Sequence, residues 1–372
     1  MSWSIPEIPK KIPSSRPALK LWGSVLGIML VSGTVLALFP GKVTSYGEAF
    51  LYGTLPAFLL WLCFFSLAFH RYQQSVNIAL LWDKETERTK KYWQHWSMKQ
   101  LVVVGNVVLT PEEQGIHTLL GEYADIPAYP QKARSLFFDS SDFWQRLKYI
   151  DEQCEKQCPG YRNYLHTIKL LYADKRQQER VTQVIYAIWD LYPEYVSSVE
   201  KLYAGYDEND SGNLALLLSV QDWSEGRSES YSEFITGQLI TSASFARMKT
   251  LPILAGVGRI LPSEALTKDL DILFEYNCLD YENLRYVWLS GMETDTRTAL
   301  VQYAALKHWA LPSKMPYLSL DHSFAFPGPL MFPVAISLVT DAAIETGKMQ
   351  LLISQHSQND FLFCLITRDL LL

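Results

Sequence analysis

Cys154 and Cys158 are the first residues whose types and spacing could support chemistry, because they lie four positions apart in one helical segment. Two thiolates at this spacing lie on one face of a helix and could ligate a metal ion. No nearby His or Cys pair completes a set of four ligands, so we predict no metal site. Asp151 and Glu155 lie in the same segment, and their negative charge should raise the pKa of both thiols. We therefore expect neither cysteine to be a nucleophile.

Two other segments begin like ligand-binding motifs and then depart from them. Asp207–Gly212 has oxygen ligands at the first, third and fifth positions of a calcium loop and a glycine at the sixth. The twelfth position, where a bidentate Glu is needed, is Leu218. Gly256 and Gly258 follow a strand-like run, but no third glycine completes a phosphate-binding turn. We therefore predict that Asp207–Gly212 is a solvated acidic turn and that the segment around Gly256 and Gly258 is a structural loop. We predict no cofactor.

Composition narrows the classes of function. Of the 372 residues, 48% are hydrophobic and 19% are charged, which excludes a disordered chain. The formal net charge of -6 argues against a nucleic-acid-binding protein, which would need a basic face. The 5 cysteines are scattered, so they do not form the pattern of a disulfide framework, and we expect a reducing compartment.

Two uncharged runs near the start of the chain have the length and composition of transmembrane helices. Leu21–Phe39 and Ala49–Phe69 are apolar on every side, and each can cross a hydrocarbon core about 30 Å thick. Their connection, Pro40–Glu48, is short and contains glycines, so we predict a tight hairpin. Gly23 and Gly27 would let a partner helix approach closely.

Basic residues set the expected orientation of the hairpin, because they concentrate on the cytoplasmic side of a membrane. Before the first run lie Lys10, Lys11, Arg16 and Lys20, and after the second lie Arg71, Lys84, Arg88, Lys90 and Lys91. The connecting loop holds Lys42 alone. We predict a cytoplasmic tail over residues 1–20, a hairpin over residues 21–69 in a bacterial inner membrane, and both termini and the main domain in the cytoplasm. A cleaved signal peptide fits poorly, because the first run is too long and lacks a cleavage site.

An amphipathic helix is predicted to connect the hairpin to the rest of the chain over residues 70–98. Trp82, Trp93 and Trp96 recur on one face of it, opposite a charged face. This aromatic face could contact a partner protein or a lipid surface, or it could pack on the domain that follows.

Residues 99–372 alternate between strand-like and helix-like runs, which predicts one α/β domain and leaves open whether it consists of two similar halves. Strands are predicted at 101–109, 133–138, 164–173, 214–220, 251–261, 284–290, 349–355 and 361–368. Helices are predicted to start at Thr110 and Ser140 and to cover 177–191, 262–274, 294–309 and 333–345.

Three stretches share the order and spacing of segments in a known fold. LVVVGNVVLTPEEQG, from Leu101, is a strand followed by a turn with a Pro. LRYVWLSGMETDTRTALVQYAAL, from Leu284, and KMPYLSLDHSFAFPGPLMFPVAISLVTDAA, from Lys314, each read as strand, loop and helix. Together with the paired closing strands, they resemble the β-ketoacyl synthases of the thiolase-like fold. The resemblance implies a mixed αβ thiolase-like domain.

The resemblance also implies a catalytic Cys at a helix start, two His residues and a Lys. In this match the first His position holds Ser290 or Gly291, His322 takes the second, and Lys314 is the Lys of its strand. Neither thiol of the acidic helical segment suits the nucleophile. We therefore predict no catalytic residue and retain His322 and Lys314 as candidate pocket residues.

Three functions remain open from the sequence. The favoured one is a membrane-anchored, non-catalytic adaptor or scaffold with a protein partner. The general layout also resembles the type VI secretion lipase-adaptor family, which implies an effector or spike component as that partner. The alternatives are a membrane-associated acyl-processing enzyme that uses a Cys with His322, and a structural subunit of an envelope complex.

Overall fold

The computed structural model describes residues 3, 5–6, 8–39, 45–120, 128, 132–138, 140, 142–173, 178–199, 213–223, 231–279, 281–324, 328–357 and 360–371. The acidic segment 207–212 therefore lies outside the described residues. The chain divides into two compact units. One, which we call the hairpin unit, is Ile5–Tyr92, and the other, the sheet domain, combines Met1–Ser4 with Trp93–Leu372.

The hairpin unit contains two helices that are long and apolar enough to cross a membrane. Helix α1 is Leu19–Leu38, and the second helix runs over Tyr46–Ser97 without a break. The latter consists of α2 (Tyr46–Ala49), a π-helical turn (Phe50–Thr54) and α3 (Leu55–Ser97). The predicted span and the predicted connecting helix are thus one helix, because no Pro or Gly interrupts α3 after Pro56.

Small residues bring the two helices of the hairpin together. A Cβ added to Gly33 would lie 2.8 Å from Gly53 O, and one added to Gly53 would lie 2.6 Å from Gly33 O. Beside them, the hydroxyls of Thr34 and Thr54 are hydrogen-bonded at 2.9 Å. A Cβ on Gly23 would meet nothing within 4 Å, and the same holds for Gly27, so the helix contact uses a different glycine pair from the predicted one.

The segment of residues 8–18 lies along α3 beyond its apolar run. Arg16 Nε donates to Tyr72 OH at 2.9 Å, and the hydroxyls of Ser14 and Ser75 are 2.6 Å apart. Trp82 Nε1 donates to the carbonyl of Pro9 at 3.0 Å. The segment therefore covers one face of the helix beyond the apolar run.

The sheet domain is built on one mixed sheet, whose described strands follow the order β3-β2-β4-β5-β1-β6-β11-β10-β8-β9, with β7 also paired to β11. In chain order the strands are β1 (Leu101–Leu109), β2 (Leu165–Tyr172), β3 (Pro193–Tyr195), β4 (Leu214–Gln221), β5 (Phe234–Thr241), β6 (Ala255–Val257), β7 (Leu261–Ser263), β8 (Leu284–Ser290), β9 (Tyr317–Ser319), β10 (Met349–Ser357) and β11 (Asp360–Thr367).

The sheet consists of two halves with the same topology. In the first half, β1 and β5 pair antiparallel, β5 and β4 pair antiparallel, and β4, β2 and β3 are parallel. In the second half, β6, β11 and β10 pair antiparallel, and β10, β8 and β9 are parallel. Strand β3 of the first half therefore corresponds to β9 of the second. This repetition agrees with the two similar halves anticipated from the sequence.

Helices form three layers with the two halves of the sheet between them. They are α4 (His117–Leu120), α5 (Phe143–Gln157), α6 (Gln178–Trp189), α7 (Ala243–Met248), α8 (Leu266–Tyr276), α9 (Thr294–Leu306), α10 (Leu320–Phe324) and α11 (Met331–Thr346). The central layer is α11, whose buried side chains pack against the inner faces of both halves. The outer face of the first half packs on α5 and α6, and that of the second half packs on α8 and α9.

Several predicted elements differ from the structure. Residues 133–138 are extended but form no strand, because their backbone bonds run to Thr110 and Glu233 instead of a full ladder. The predicted strand 251–261 is replaced by the short strands β6 and β7. Thr110 Oγ1 accepts from Glu112 N at 3.0 Å as a cap would, but Gly115 has a φ of +54° and the helix begins only at His117.

Candidate functional site

The most polar corner of the second half lies where β8 and β9 end. The two strands are parallel, so their carboxyl ends reach the same edge of the sheet, which is where open α/β sheets place ligands. Ser290 is the last residue of β8 and Gly291 follows it, while Asp321 and His322 lie in α10, directly after β9. We call these four residues the β8–β9 corner.

A carboxylate occupies the centre of the corner. Asp321 Oδ1 accepts a hydrogen bond from Ser290 Oγ at 3.2 Å, and Oδ2 accepts one from Gly291 N at 2.5 Å. Burial raises the pKa of Asp321, and this effect outweighs the opposing hydrogen bonds from Gly291 and Ser290 and the charge of His322. Asp321 is thus held by two hydrogen bonds in surroundings that disfavour its charged form.

Gly291 is required by the backbone at this point. Its φ is +64°, a conformation that other residues rarely adopt, and an added Cβ would collide with the carbonyl of Gln355 on β10. The side chain of Gln355 accepts a hydrogen bond from Glu293 N at 2.9 Å. The loop after β8 is thus held against the end of β10, with the Gly291 amide directed at Asp321.

The two predicted pocket residues lie in different places. His322 is exposed and belongs to the corner, next to Asp321. Lys314 is also exposed, but it precedes β9 by three residues and so is not on the strand to which the match assigned it. Ser290 and His322, which the match assigned to the two His positions, thus lie at the same edge of the sheet, while Lys314 lies before β9. Whether these residues line a pocket stays a prediction.

Cys154 and Cys158 lie in the first half of the sheet domain and not at the corner. Cys154 and Cys158 are buried on α5 and beside it, in the outer core of the first half. Burial raises the pKa of both thiols, and the charges of Asp151 and Glu155 add to this effect. The predicted direction is therefore right, although burial and not acidity is its main cause.

The first half has its own equivalent of the corner after β3. Because β3 pairs with β2 as β9 pairs with β8, the residues after β3 correspond to those of α10. Ser197 and Ser198 follow β3 there, and residues 200–212 lie outside the described part. The described positions after β3 thus carry serines and no thiol. The sequence alone did not locate this position, because β3 is three residues long.

A buried polar network that the sequence analysis missed fastens α11 to the sheet. Asn106 Nδ2 donates to Ser337 O at 2.9 Å and to Asp341 Oδ1 at 2.5 Å. Gln238 Nε2 donates to Asn106 Oδ1 at 2.8 Å. Burial raises the pKa of Asp341 to about 7, although the hydrogen bond from Asn106 opposes the shift. The sequence offers one sign of this network, which is that Asn106 is the only polar side chain in the run LVVVGNVVL.

A second buried cluster joins the ends of β4 and β5 to α5. Arg146 Nη1 lies 2.7 Å from Asp222 Oδ1 and 3.7 Å from Glu233 Oε1. Glu233 also accepts backbone hydrogen bonds from Trp223 and Leu136 at 2.9 and 3.0 Å. Burial and the neighbouring Glu233 raise the pKa of Asp222 against the effect of Arg146. One cation between two carboxylates makes this cluster a structural clamp between α5 and the ends of the two strands.

Trp82, Trp93 and Trp96, predicted as a partner surface, have different surroundings. Trp96 is 6% exposed, its ring centroid lies 5.3 Å from that of Trp3, and the Arg259 guanidinium lies 4.1 Å from its ring. Trp93 is half-buried, with its ring centroid 5.3 Å from that of Trp96. Trp96 is therefore used inside the sheet domain, which was the alternative expectation, while Trp82 belongs to the hairpin unit and remains exposed.

Comparisons with solved structures identify the fold. A type II polyketide synthase ketosynthase, in complex with its acyl-carrier protein and bound to the hexaketide, is similar with a TM-score of 0.54 and 11% identity over 73% of this chain and 99% of that one. An oxazolomycin ketosynthase domain from Streptomyces albus JA3453 has a TM-score of 0.53 and 10% identity, over 73% and 96% of the two chains. A β-ketoacyl synthase from Burkholderia phymatum STM815 has a TM-score of 0.51 and 11% identity, over 73% and 100%. The fold is thiolase-like.

Sequence comparison adds nothing to this result, since no family model and no curated protein matches the chain. The likeness to the thiolase-like proteins is thus one of topology. It confirms the mixed αβ fold expected from the three resembling stretches. At 10–11% identity it does not transfer the chemistry of those enzymes to this chain.

Proposed function

We propose that this chain is a membrane-anchored binding protein whose thiolase-like domain holds a protein partner and does not condense acyl groups. The carrying observation is the Asp321 carboxylate, which accepts hydrogen bonds from Ser290 and Gly291 at the corner matched to a catalytic His. Acyl condensation needs free donors aimed at a developing oxyanion. Here the Asp321 side chain accepts from both donors, so neither is free to stabilise that anion.

Anchoring is supported by the surface of the hairpin unit. In the most apolar stretches of its two long helices, 0% of the residues are buried in the first helix and 6% in the second. The apolar side chains there therefore need another environment. A core helix of a soluble protein would bury them. A lipid bilayer provides such an environment, and its hydrocarbon core is thin enough for helices of this length to span.

A contact of Trp3 supports placing both ends of the hairpin on the same side of the membrane. Its indole donates to the carbonyl of Ile260 at 2.9 Å, and residues 1–4 belong to the same compact unit as residues 93–372. The chain between them must therefore cross a membrane an even number of times. A two-span hairpin satisfies this condition, and the flanking basic residues favour the cytoplasm for both ends.

A protein is the favoured partner class. The ketosynthase with a TM-score of 0.54 is itself in complex with an acyl-carrier protein, so one protein of this fold does present a docking face. The resemblance to type VI secretion lipase adaptors suggests a secreted effector or a spike component as the partner here. A structural role in an envelope complex is the other form of the proposal.

Affinity purification of the detergent-solubilised full chain, read by mass spectrometry, tests the proposal. We expect one protein to co-purify stoichiometrically with the wild type, and equally with Cys278→Ser, a matched variant of an exposed thiol. The absence of any stoichiometric partner would contradict the binding role. An acyl-carrier protein as the partner would support docking but redirect attention to acyl substrates.

The second candidate, an acyl-processing enzyme, is favoured by one observation. The corner brings a hydroxyl, a carboxylate and His322 to the edge where this fold binds ligands. This candidate expects turnover of an acyl thioester that His322→Ala abolishes. It also expects rapid labelling of a thiol at neutral pH, which the buried Cys154, Cys158 and Cys364 do not favour.

A further inference from the structure

Cations without carboxylates among them lie where the two apolar runs of the hairpin unit end. No Asp or Glu occurs in residues 8–39 or 49–82, whereas the same two ranges hold five Lys and Arg residues. The ion pairs on α3 begin farther along, with Glu85 and Arg88. Carboxylates of the two ranges therefore do not neutralise this positive charge.

A hydrogen bond sets the level of Arg16 along the hairpin. Its Nε donates to Tyr72 OH at 2.9 Å, so Arg16 lies beside the turn of α3 that carries Arg71 and Tyr72. This turn follows Phe69, the last residue of the second apolar run, by about 3–5 Å. Both arginines are exposed. Because the bond to Tyr72 uses only Nε and an uncharged acceptor, the two terminal nitrogens of Arg16 can serve another acceptor.

A ring contact sets the level of Lys20. The rings of Trp22 and Phe65 have their centroids 5.6 Å apart, and α1 runs antiparallel to α3 in the hairpin. Lys20, two residues before Trp22, therefore lies within about one helical turn of Phe69. A lysine so close to the end of an apolar run extends its ammonium group toward water. We call Arg16, Lys20 and Arg71 the basic cluster.

Under the proposed anchoring, the basic cluster lies in the layer of lipid headgroups. This layer extends roughly 5–8 Å beyond the hydrocarbon core, and the cluster lies within about one helical turn of Phe69. Arg and Lys bind phosphate oxygens through charge-assisted hydrogen bonds. Lys10 and Lys11 lie elsewhere, since the carbonyl of Pro9 accepts from Trp82, about 20 Å along α3 from Phe69. That distance exceeds the Debye length of about 8 Å at physiological salt.

We propose that the basic cluster binds the phosphate headgroup of an anionic phospholipid in the leaflet that the proposed orientation makes cytoplasmic. The proposal rests on the proposed anchoring and goes beyond it, because apolar contacts alone anchor a helix without selecting a headgroup. Attraction to an anionic surface is worth about five-fold in affinity for each cation near that surface. We therefore expect the three cations together to favour an anionic over a zwitterionic lipid by about a hundred-fold.

Lipid retention by the full-length protein in an uncharged detergent tests the proposal. The protein is titrated with phosphatidylglycerol or with phosphatidylcholine of the same acyl chains, and bound lipid is counted by native mass spectrometry. We expect the wild type to retain phosphatidylglycerol in preference to phosphatidylcholine. The triple variant Arg16→Gln/Lys20→Gln/Arg71→Gln should lose this preference, and Arg71→Gln alone should weaken it about five-fold.

The matched control removes the same charge at a distance from the basic cluster. Lys10→Gln/Lys11→Gln/Lys84→Gln should keep the preference, because these exposed lysines lie about 15 Å or more along α3 from the cluster. The charge-conserving variant Arg16→Lys/Arg71→Lys should also keep it. This second variant distinguishes the loss of positive charge from a disturbance of the fold.

Three results would overturn the headgroup site. Equal retention of the two lipids by the wild type would show no selection, and an equal loss in the matched control would assign the selection to net charge. Full competition by millimolar inorganic phosphate would mean that the cluster binds a free anion and not a lipid. Alkaline carbonate extraction of native membranes tests anchoring separately. Release of the protein would overturn anchoring and the lipid site together, whereas a retained protein without lipid preference would overturn the lipid site alone.

Discussion

At the residue scale, the β8–β9 corner is held together by the two hydrogen bonds that Asp321 accepts. Its two oxygens take the Ser290 hydroxyl and the Gly291 amide, so the loop after β8 and the start of α10 are joined through one side chain. The sequence match singled out Ser290 or Gly291 and His322, because they stand at the two His positions of the resembling stretches. It did not single out Asp321, because the role of Asp321 depends on a contact across 30 residues that no local pattern records.

Two substitutions of Asp321 distinguish the effect of losing its hydrogen-bond acceptors from the effect of losing its charge. Asp321→Ala leaves the Gly291 amide and the Ser290 hydroxyl without their acceptor and should lower the free energy of unfolding by about 1–3 kcal/mol. Asp321→Asn keeps an acceptor and should cost less, particularly above neutral pH, because burial disfavours the charged carboxylate. Denaturant unfolding of the full chain in detergent measures both. Equal losses in the two variants would contradict the assigned role.

The raised pKa of Asp341 predicts that the free energy of unfolding depends on pH. Its folded pKa, about 7, lies above the ordinary value of 3.8, so folding favours the protonated form. The stability it contributes is fully present below pH 3.8 and is lost as the pH rises through 7, by an amount on the order of a few kcal/mol. We expect the melting temperature to fall between pH 5 and pH 8, and Asp341→Asn to flatten that fall. The exposed Asp369→Asn is the matched control and should leave the slope unchanged.

At the element scale, apolar runs were predicted well and polar buried elements were not. The strands β4 and β8 were predicted to within one residue, because LALLLSV and LRYVWLS are continuous apolar runs. Strand β5 was missed, since FITGQLIT contains Thr, Gly and Gln, yet all of its residues are buried. Thr236 and Gln238 share the inner face with Phe234 and Ile240, and there Gln238 belongs to the α11 network.

The hairpin contact at Gly33 and Gly53 can be tested as an element. Gly33→Leu should separate the two helices, because its Cβ alone would already lie 2.7 Å from Ala57 Cβ and 2.8 Å from the Gly53 carbonyl. In a Thr34→Cys/Thr54→Cys variant, whose parent hydroxyls are 2.9 Å apart, we expect efficient disulfide formation that Gly33→Leu suppresses. Gly23→Leu, where a Cβ meets nothing within 4 Å, should leave the yield unchanged. Equal suppression by both leucines would refute the contact.

At the scale of the whole molecule, alternation of strands and helices predicted the class of fold and the matched stretches predicted its type. The sequence did not reveal that β6 pairs with both β1 and β11 and so connects the two halves, because β6 is three residues long. It also did not reveal that residues near the start of the chain join the sheet domain. Trp3 lies 257 positions from its hydrogen-bond partner, a separation that no periodicity reports.

The even number of membrane crossings that we propose can be measured directly. In intact cells, a membrane-impermeant maleimide should label Lys42→Cys, placed in the loop between the spans. The exposed native Cys278 should be labelled only after the cells are permeabilised. Labelling of both residues in intact cells, or of neither, would contradict the two-span topology.

The contact of Trp3 with Ile260 also orders events during synthesis. A ribosome adding about 5–20 residues per second takes on the order of 13–50 s to make the 257 residues between them. Throughout that interval Trp3 lacks its hydrogen-bond acceptor, so under the proposed anchoring the hairpin is free to enter the bilayer. Closing this contact is therefore a late step, which a bulky fusion placed before Trp3 would obstruct and one placed after Leu371 would not.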